Sequence, residues 1–287
     1  MKNIDLKKNK MTPKISIIIT TYNSEEWLLK VLQGFLFQSE KDFEIIIADD
    51  GSTIKTEEVI EHFLNKFKIP IIHVWQEDNG FQKTKILNKA ILKSNSNYLL
   101  FTDGDCIPRK DFVANHLKNK EEGYFLSGGY YKLPLIISKL ITNQDIEKNS
   151  CFKISWLLKN GLKLNFKLTK LTHKVLFAKF MNWITPTKKT FNGHNSSCYK
   201  ADLLAVNGFN EDMNYGGLDR ELGERLFNYG IKSKQIRYSA ICLHLDHDRK
   251  YATQKNWEEN FRIREYNKKH NVTYIQNGIV KNTSNGN

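Results

Sequence analysis

The sequence predicts an α/β protein with a mostly parallel central sheet flanked by helices. Two observations carry that prediction. Short β-branched apolar runs alternate with amphipathic helical stretches through the first 130 residues, and such alternation implies parallel strands joined by right-handed crossovers. Polar residues follow three of those runs directly, at the strand ends where wound sheets bind their ligands.

ISIIIT (15–20) reads as the first strand. Ser24 then stands as N-cap to a helix with Trp27, Leu28, Val31, Leu32 and Phe35 on one face. FEIIIA (43–48), PIIHVW (70–75) and NYLLFT (97–102) read as further strands, with helices at TEEVIEHFLNKF (56–67) and KTKILNKAILKS (83–94). Thr21, Tyr22 and Asn23 close the first strand, Asp49 and Asp50 the second, and Asp103 and Asp105 the fourth, so all three sets meet at one edge. Residues 131–190 break the alternation with short amphipathic, basic helices, as an insertion or lid would. From Phe191 the strand–turn–helix style returns, with a strand-like IRYSAICLHL (236–245) and a helix at about 255–268. The Lys- and Asn-rich ends, the first fourteen and last ten residues, are expected to fray.

Charge is concentrated. The 287 residues carry a net +13, and the stretch from Lys132 to Lys189 holds twelve lysines against Asp145 and Glu147, or +10. Such a surface attracts nucleic acid, anionic lipid headgroups or phosphorylated substrates. Within it Trp156 and Trp183 read as packing residues, although aromatics interleaved with lysine also suit an interfacial helix. No apolar run approaches the roughly 18–20 residues of a membrane span, and MKNIDLKKNK lacks an apolar segment behind it, so a cytoplasmic location is expected. Four widely spaced cysteines without a CxxC pair read as reduced structural thiols.

Three stretches could carry chemistry. In FTDGDCIP (101–108), Asp103 and Asp105 share one side of a strand end, and Gly104 allows close approach to the backbone. Two such charges about 4 Å apart repel by roughly 4 kcal/mol at an effective dielectric of about 20. A divalent cation would resolve that, Mg²⁺ or Mn²⁺ by the hardness of the ligands, and an ordinary surface turn is the other reading. In HLDHD (244–248), His244 and His247 could reach the same cation, which favours Mn²⁺, or sit hydrogen-bonded in the core. In NYGGLDREL (214–222), Asp219 opens a helix behind two glycines, as an N-cap or as a general base.

With these residues laid out, the chain resembles a family 2 glycosyltransferase of the GT-A fold. SIIITTYN, IIIADDGS and FTDGD resemble the family's nucleotide-binding half in order and spacing, and DNGFQKTKILNKAI its Asn-Gly helix. NGHNSSCYKADLLAVNGFNEDMNYGGLDREL with HLDHDRK is similar to the segment shared by chondroitin polymerases and β-1,4-galactosyltransferases. The resemblance covers about 15–130 and 191–250 and leaves 131–190 uncovered.

It implies a flexible start (1–14), a nucleotide-sugar-binding half (15–130), the basic insertion (131–190), an acceptor and catalytic half (191–270) and a tail (271–287). Thr20, Tyr22 and Asp50 would hold the uridine, Asp103 the ribose, with Lys83 and Lys85 near the donor. Asp105 and His247, with His244 as a further ligand, would bind Mn²⁺ or Mg²⁺, and Asp219 would be the catalytic base. Tyr215, Gly217 and Leu218 would face the acceptor, where Tyr215 replaces a common Trp and Leu218 a common acid. The Gln-x-x-Arg-Trp motif of processive membrane synthases is missing, so one sugar per encounter is expected from a UDP-sugar to a glycan or glycolipid hydroxyl, with inversion. The basic insertion would bind an anionic acceptor or touch an anionic membrane peripherally, and no nucleic-acid partner is expected. A sugar nucleotidyltransferase is a poorer fit, because TTYNSEE replaces a Gly-rich basic loop. A non-catalytic nucleic-acid or membrane-surface binder leaves the acids unexplained.

Overall fold

The computed structural model describes residues 12–247 and 253–281. Its elements run β1 (Ser16–Thr21), α1 (Glu25–Leu36), β2 (Glu44–Asp49), α2 (Ile54–Leu64), β3 (Ile71–Trp75), α3 (Lys83–Lys93) and β4 (Tyr98–Asp103). There follow β5 (Cys106–Pro108), α4 (Phe112–Asn119), β6 (Tyr124–Ser127), β7 (Gly129–Lys132), α5 (Leu135–Leu140), α6 (Asn143–Glu147), α7 (Ile154–Lys159) and α8 (Val175–Ile184). The chain continues through β8 (Ser196–Tyr199), α9 (Lys200–Ala205), α10 (Leu218–Asn228), β9 (Lys232–Gln235), β10 (Ile241–His244) and α11 (Gln254–Lys269). Short 3₁₀ turns lie at Ser150–Phe152 and Phe166–Leu171.

Among the described residues a seven-stranded sheet takes the order β3-β2-β1-β4-β8-β6-β9. β1 pairs in parallel with β2 on one side and β4 on the other. The winding therefore reverses between β1 and β4, and the crevice outside their carboxyl ends is the natural ligand site of a wound sheet. The Ile-rich strands are buried on both faces, one side facing Leu28, Val31 and Phe35 of α1, the other Ile86, Ala90 and Ile91 of α3. A three-stranded sheet, β5-β10-β7, branches off beside β4. β10 runs antiparallel to β5, pairing His244 with Cys106.

A buried polar network joins the two sheets. Asn195 Nδ2 donates to the carbonyls of Gly129 and Ala240, which leaves its Oδ1 to accept from His116 Nε2 at 2.9 Å. His116 Nδ1 then accepts from Ser197 Oγ at 2.7 Å, and Ser197 in turn contacts Tyr98 Oη at 2.8 Å. Both ring nitrogens are thus used by a neutral imidazole, and burial pushes the His116 pKa down to about 4.

The structure differs from the sequence expectations in three places. The strand expected at 236–245 is interrupted: β9 ends at Gln235, the chain turns, and only Ile241–His244 is extended. The end of the chain is packed rather than frayed as far as Lys281, because Asn207 Nδ2 donates to Ile275 O and Val280 O and its Oδ1 accepts from Val280 N–H. Trp156 packs partly against the core, but Trp183 is 81% exposed and stands beside Phe180 of its own helix, ring centroids 6.3 Å apart, rather than in the core. All four cysteines are free and buried, and no helix among the described residues is long and apolar enough to cross a membrane.

His116 should make stability acid-sensitive in a definite window. Above about pH 6.5 the ring is neutral in folded and unfolded chains alike, while below it the unfolded chain takes up a proton that the folded chain refuses down to about 4. Wild type should therefore lose roughly 2–3 kcal/mol from this group between pH 7 and 4.5. His116→Gln, less stable at pH 7, should show a correspondingly smaller drop in urea midpoint over that interval.

Candidate active site at the β1–β4 crevice

Asp103 ends β4, and the turn beyond it lies against β1. Gly104 N–H donates to Thr20 O at 2.8 Å. A Cβ at Gly104 would stand 2.9 Å from that oxygen, so glycine is what allows the approach. Asp103 Oδ1 accepts from Thr20 Oγ1 at 2.7 Å and from Lys83 Nζ, at the start of α3, at 2.6 Å. Burial opposes the Lys83 charge, yet Asp103 first, then Asp219 and Asp105, raise its pKa above the ordinary lysine value. Burial likewise opposes the Asp103 charge, but Lys83 holds its carboxyl below the usual range.

Asp105 meets the histidines because of strand register. His244 lies opposite Cys106, and Leu245 N–H donates to Asp105 O at 2.9 Å, which brings the end of β10 alongside the DGD turn. Asp105 Oδ2 consequently lies 3.1 Å from His244 Nε2 and 2.8 Å from His247 Nε2. Burial raises the carboxyl, but hydrogen bonds from the two imidazoles outweigh it and keep Asp105 below the usual range. Ligand atoms of Asp105, Cys106 and His244 lie within 4.8 Å of one another. Burial pushes the Cys106 thiol well up, so it is a neutral donor to Asp105 Oδ1 at 3.3 Å rather than a thiolate. The donors on offer are thus a carboxylate and two imidazoles, a set that fits Mn²⁺ better than a soft metal. Asp248, the last residue of HLDHD, lies outside the described residues.

Asp219 sits in the first turn of α10, behind Gly217, whose φ of +76° favours glycine. Its Oδ2 accepts from Gly193 N–H and its Oδ1 from Arg220 N–H, each at 2.9 Å. Six residues on, the fully buried Arg225 anchors the helix, pairing with Glu221 at 2.7 Å and donating to the carbonyls of Val206 and Gly208.

The remaining expected residues divide. Asp50 is buried at the end of β2, its Oδ1 accepting from Gln76 Nε2 at 2.6 Å and its Oδ2 from Gln82 N–H at 2.9 Å. Burial leads in raising its pKa. Tyr22 is 46% exposed at the rim and donates to Asp78. Lys85 is not brought to Lys83: two residues on, it lies on the opposite side of α3, in the row of Lys89 and Leu92. Leu218 is a correction too. It is 7% exposed and packed in the core, because the apolar face of α10 must be covered, so it presents no surface to an acceptor. Tyr215 stands edge-on between Phe81, with ring centroids 5.7 Å apart, and Trp257, 5.9 Å away.

Sequence reasoning placed Thr21 at the strand edge without a role and passed over three other neighbours, His194, Tyr130 and Trp257. Thr21 Oγ1, beside Gly104, is buried without a partner among the described residues, as is His194 Nε2. Burial pushes His194 down to about 4 against the pull of Asp103, Asp219 and Asp105. Tyr130 covers it at a centroid distance of 4.5 Å. Trp257 lies over Gly216, where a Cβ would meet its ring at 2.8 Å, and lines a cavity of about 410 Å³ with Phe261 and Arg264. Only NGHN, with a histidine and two amides close together, offered a signal.

A family model described as glycosyl transferase family 2 matches residues 16–168, more than half of the chain. The chain belongs to glycosyl transferase family 2. A second model, described as the N-terminal domain of galactosyltransferase, matches 172–248, so the two together run through the stretch that the sequence resemblance left uncovered. Among family relatives, a validoxylamine A glucosyltransferase of Streptomyces hygroscopicus subsp. limoneus is 25% identical over 244 residues, 79% of this chain and 51% of the relative. The chondroitin synthase of Escherichia coli is 24% identical over 244 residues, 80% of this chain and 34% of the relative. This family member thus spans about half or less of those two relatives. Among solved structures, residues 1–349 of Staphylococcus aureus TarS in complex with UDP-GlcNAc superpose with TM-score 0.61 at 16% identity, covering 90% of this chain and 69% of that one. A mannosyltransferase of Pyrobaculum calidifontis in complex with GDP-Man and Mn²⁺ gives 0.56 at 18%, covering 89% and 61%. At such identities the superpositions establish the GT-A type of fold.

Lys83 should prove structural as well as electrostatic. Lys83→Met strands a largely buried Asp103 and should cost about 2 kcal/mol at pH 7, between surface and buried ion pairs. Because the folded Asp103 pKa is depressed, that difference is present above about pH 4 and should shrink as pH falls through the folded value, read from urea midpoints at pH 7 and 3.5.

Proposed function

We propose that this chain is an inverting, metal-dependent glycosyltransferase that moves one sugar per encounter from a UDP-sugar to a hydroxyl of a cell-surface glycan or glycolipid. The observation that carries this reading is the meeting of Asp105 with His244 and His247 beside the Asp103–Lys83 pair. Family membership and the UDP-GlcNAc in the superposed TarS structure support the donor class.

Asp50 would accept from the uracil ring, and the adjoining Gln76 Oε1, buried without a partner among the described residues, offers a further acceptor. Tyr22 would cover the base, and Thr20 would position Asp103 for a ribose hydroxyl. Asp105, His244 and His247 would hold Mn²⁺ or Mg²⁺, which when bound supplies Lewis-acid charge toward the departing diphosphate, typically several kcal/mol. Lys83 adds a fixed positive charge on the same side. Asp219 would take the proton of the acceptor hydroxyl. The hydroxyl oxygen bonds to the anomeric carbon from the face opposite the diphosphate, the sugar–phosphate C–O bond breaks, and UDP leaves with its electron pair. The backbone N–H groups of Gly193 and Arg220 orient Asp219 for that task. Trp257 would supply the aromatic platform for an acceptor sugar beside Tyr215 and Gly217.

Calorimetric titration of UDP into the protein should show binding with Mn²⁺ that is abolished by EDTA and by Asp105→Ala. Asp219→Asn should keep UDP affinity within about threefold while lowering transfer by at least about 10²-fold, as loss of a general base requires. Metal-independent UDP binding that survives in Asp105→Ala would refute the assignment of the metal ligands.

A further inference from the structure

The segment 153–189 presents a surface that the proposed chemistry does not use. α8 packs on Tyr238 through Ala178 and Met181 and turns its other flank to solvent. On that flank Leu176 and Trp183 are each 81% exposed and Phe180 52%. The three stand at i, i+4 and i+7, a single stripe along the helix. Just upstream, Leu164 and Phe166 are 78% and 73% exposed. Large apolar side chains held in water at this density mark an interaction surface.

The charge around the stripe identifies the partner. Lys163, Lys167, Lys174 and Lys179 are all exposed beside these apolar residues. Within the stretch the twelve lysines are accompanied only by Asp145 and Glu147, and Asp145 is already bound to Thr142 and Ser150, while Lys132 pairs outside it with Asp246 at 3.0 Å. Aliphatic groups such as Leu164 and Leu176 offer nothing to a nucleic-acid backbone. Together with Trp and Phe at a helix surface and lysines alongside, they match what enters the headgroup–acyl boundary of a bilayer. We propose that this face docks on an anionic lipid membrane, with Leu176, Phe180 and Trp183 inserted and the lysines paired with lipid phosphates.

The docking segment also adjoins the crevice. Lys170 Nζ lies 5.6 Å over the Tyr130 ring, which itself packs 4.5 Å from His194 and 5.7 Å from His244. If the chain is the transferase proposed above, docking would present its site to acceptors anchored in the membrane. That consequence rests on the transferase reading, whereas the docking does not.

Flotation of the full chain with vesicles, without UDP or metal, tests it. Wild type should float with phosphatidylcholine–phosphatidylglycerol vesicles and not with phosphatidylcholine alone, and its tryptophan emission should shift to the blue. Replacing Leu176, Phe180 and Trp183 by serine should reduce partitioning at least about tenfold. Lys163→Glu with Lys167→Glu and Lys174→Glu should do the same. Both triple variants alter exposed side chains and should melt within a few degrees of wild type. Failure of wild type to float, or flotation that both triple variants retain, overturns the proposal. So does self-association in light scattering that the serine variant abolishes, which would make the face a contact between copies, or binding of single-stranded DNA in place of vesicles. Metal-dependent UDP binding in the same preparations reports on the transferase reading separately.

Discussion

Like charges gathered at one sheet edge are the constraint on which this architecture turns. Asp103, Asp105 and Asp219 all act on Lys83, and none of the acids is left uncompensated. Asp103 has the ammonium and a threonine hydroxyl, Asp105 has two imidazoles, and Asp219 has two backbone N–H groups. Partly buried carboxylates without such partners would take up protons or force the crevice apart. The partners come from β1, from the start of α3, from β10 and the residues just after it, from the segment before β8 and from the start of α10, so satisfying the acids ties together the parts of the fold that form the site.

The small sheet makes this possible. It branches from β4 at the DGD turn, and β10 runs back along β5 so that His244 falls beside Asp105. The polar network of Asn195, His116 and Ser197 fixes how the two sheets meet, since each member spends its donors and acceptors on a different element. A neutral His116 is required there, and burial keeps it neutral. On the other side of the crevice, Arg225 and Glu221 hold α10 against the loop carrying Val206 and Gly208, which sets the position of Asp219.

Beside Gly216 and Gly217 an aromatic surface is assembled from two separate elements. Tyr215 precedes the two glycines, and the ring of Trp257, from α11, lies against it above Gly216. Leu218 faces the core instead, because residues one apart on a helix point about 100° from each other and Asp219 takes the direction of the crevice. Lys83 and Lys85 part for the same reason.

Much of the first half was legible in the sequence. Strand interiors such as IIIA (45–48) are buried on both faces and so are apolar throughout, and their helices carry a clear 3.6-residue period. The strand ends then placed Asp50, Asp103 and Asp105 at one edge with no further information. The second half was less legible, since IRYSAICLHL contains a turn that local composition does not signal, and the packing of residues 275–280 depends on Asn207 nearly seventy positions earlier. Trp257 was invisible for a similar reason, and His194, hinted at only by NGHN, and Arg225, which meets the carbonyls of Val206 and Gly208 besides its local partner Glu221, acquire their roles from neighbours distant in the chain. The sequence by itself thus determined the wound sheet, its polar edge and the residue types for the site. Which histidine nitrogen faces Asp105, which lysine reaches Asp103 and which aromatic rings stay in solvent were decided by tertiary structure, because strand register, helix phase and burial are relations between segments and no single segment contains them.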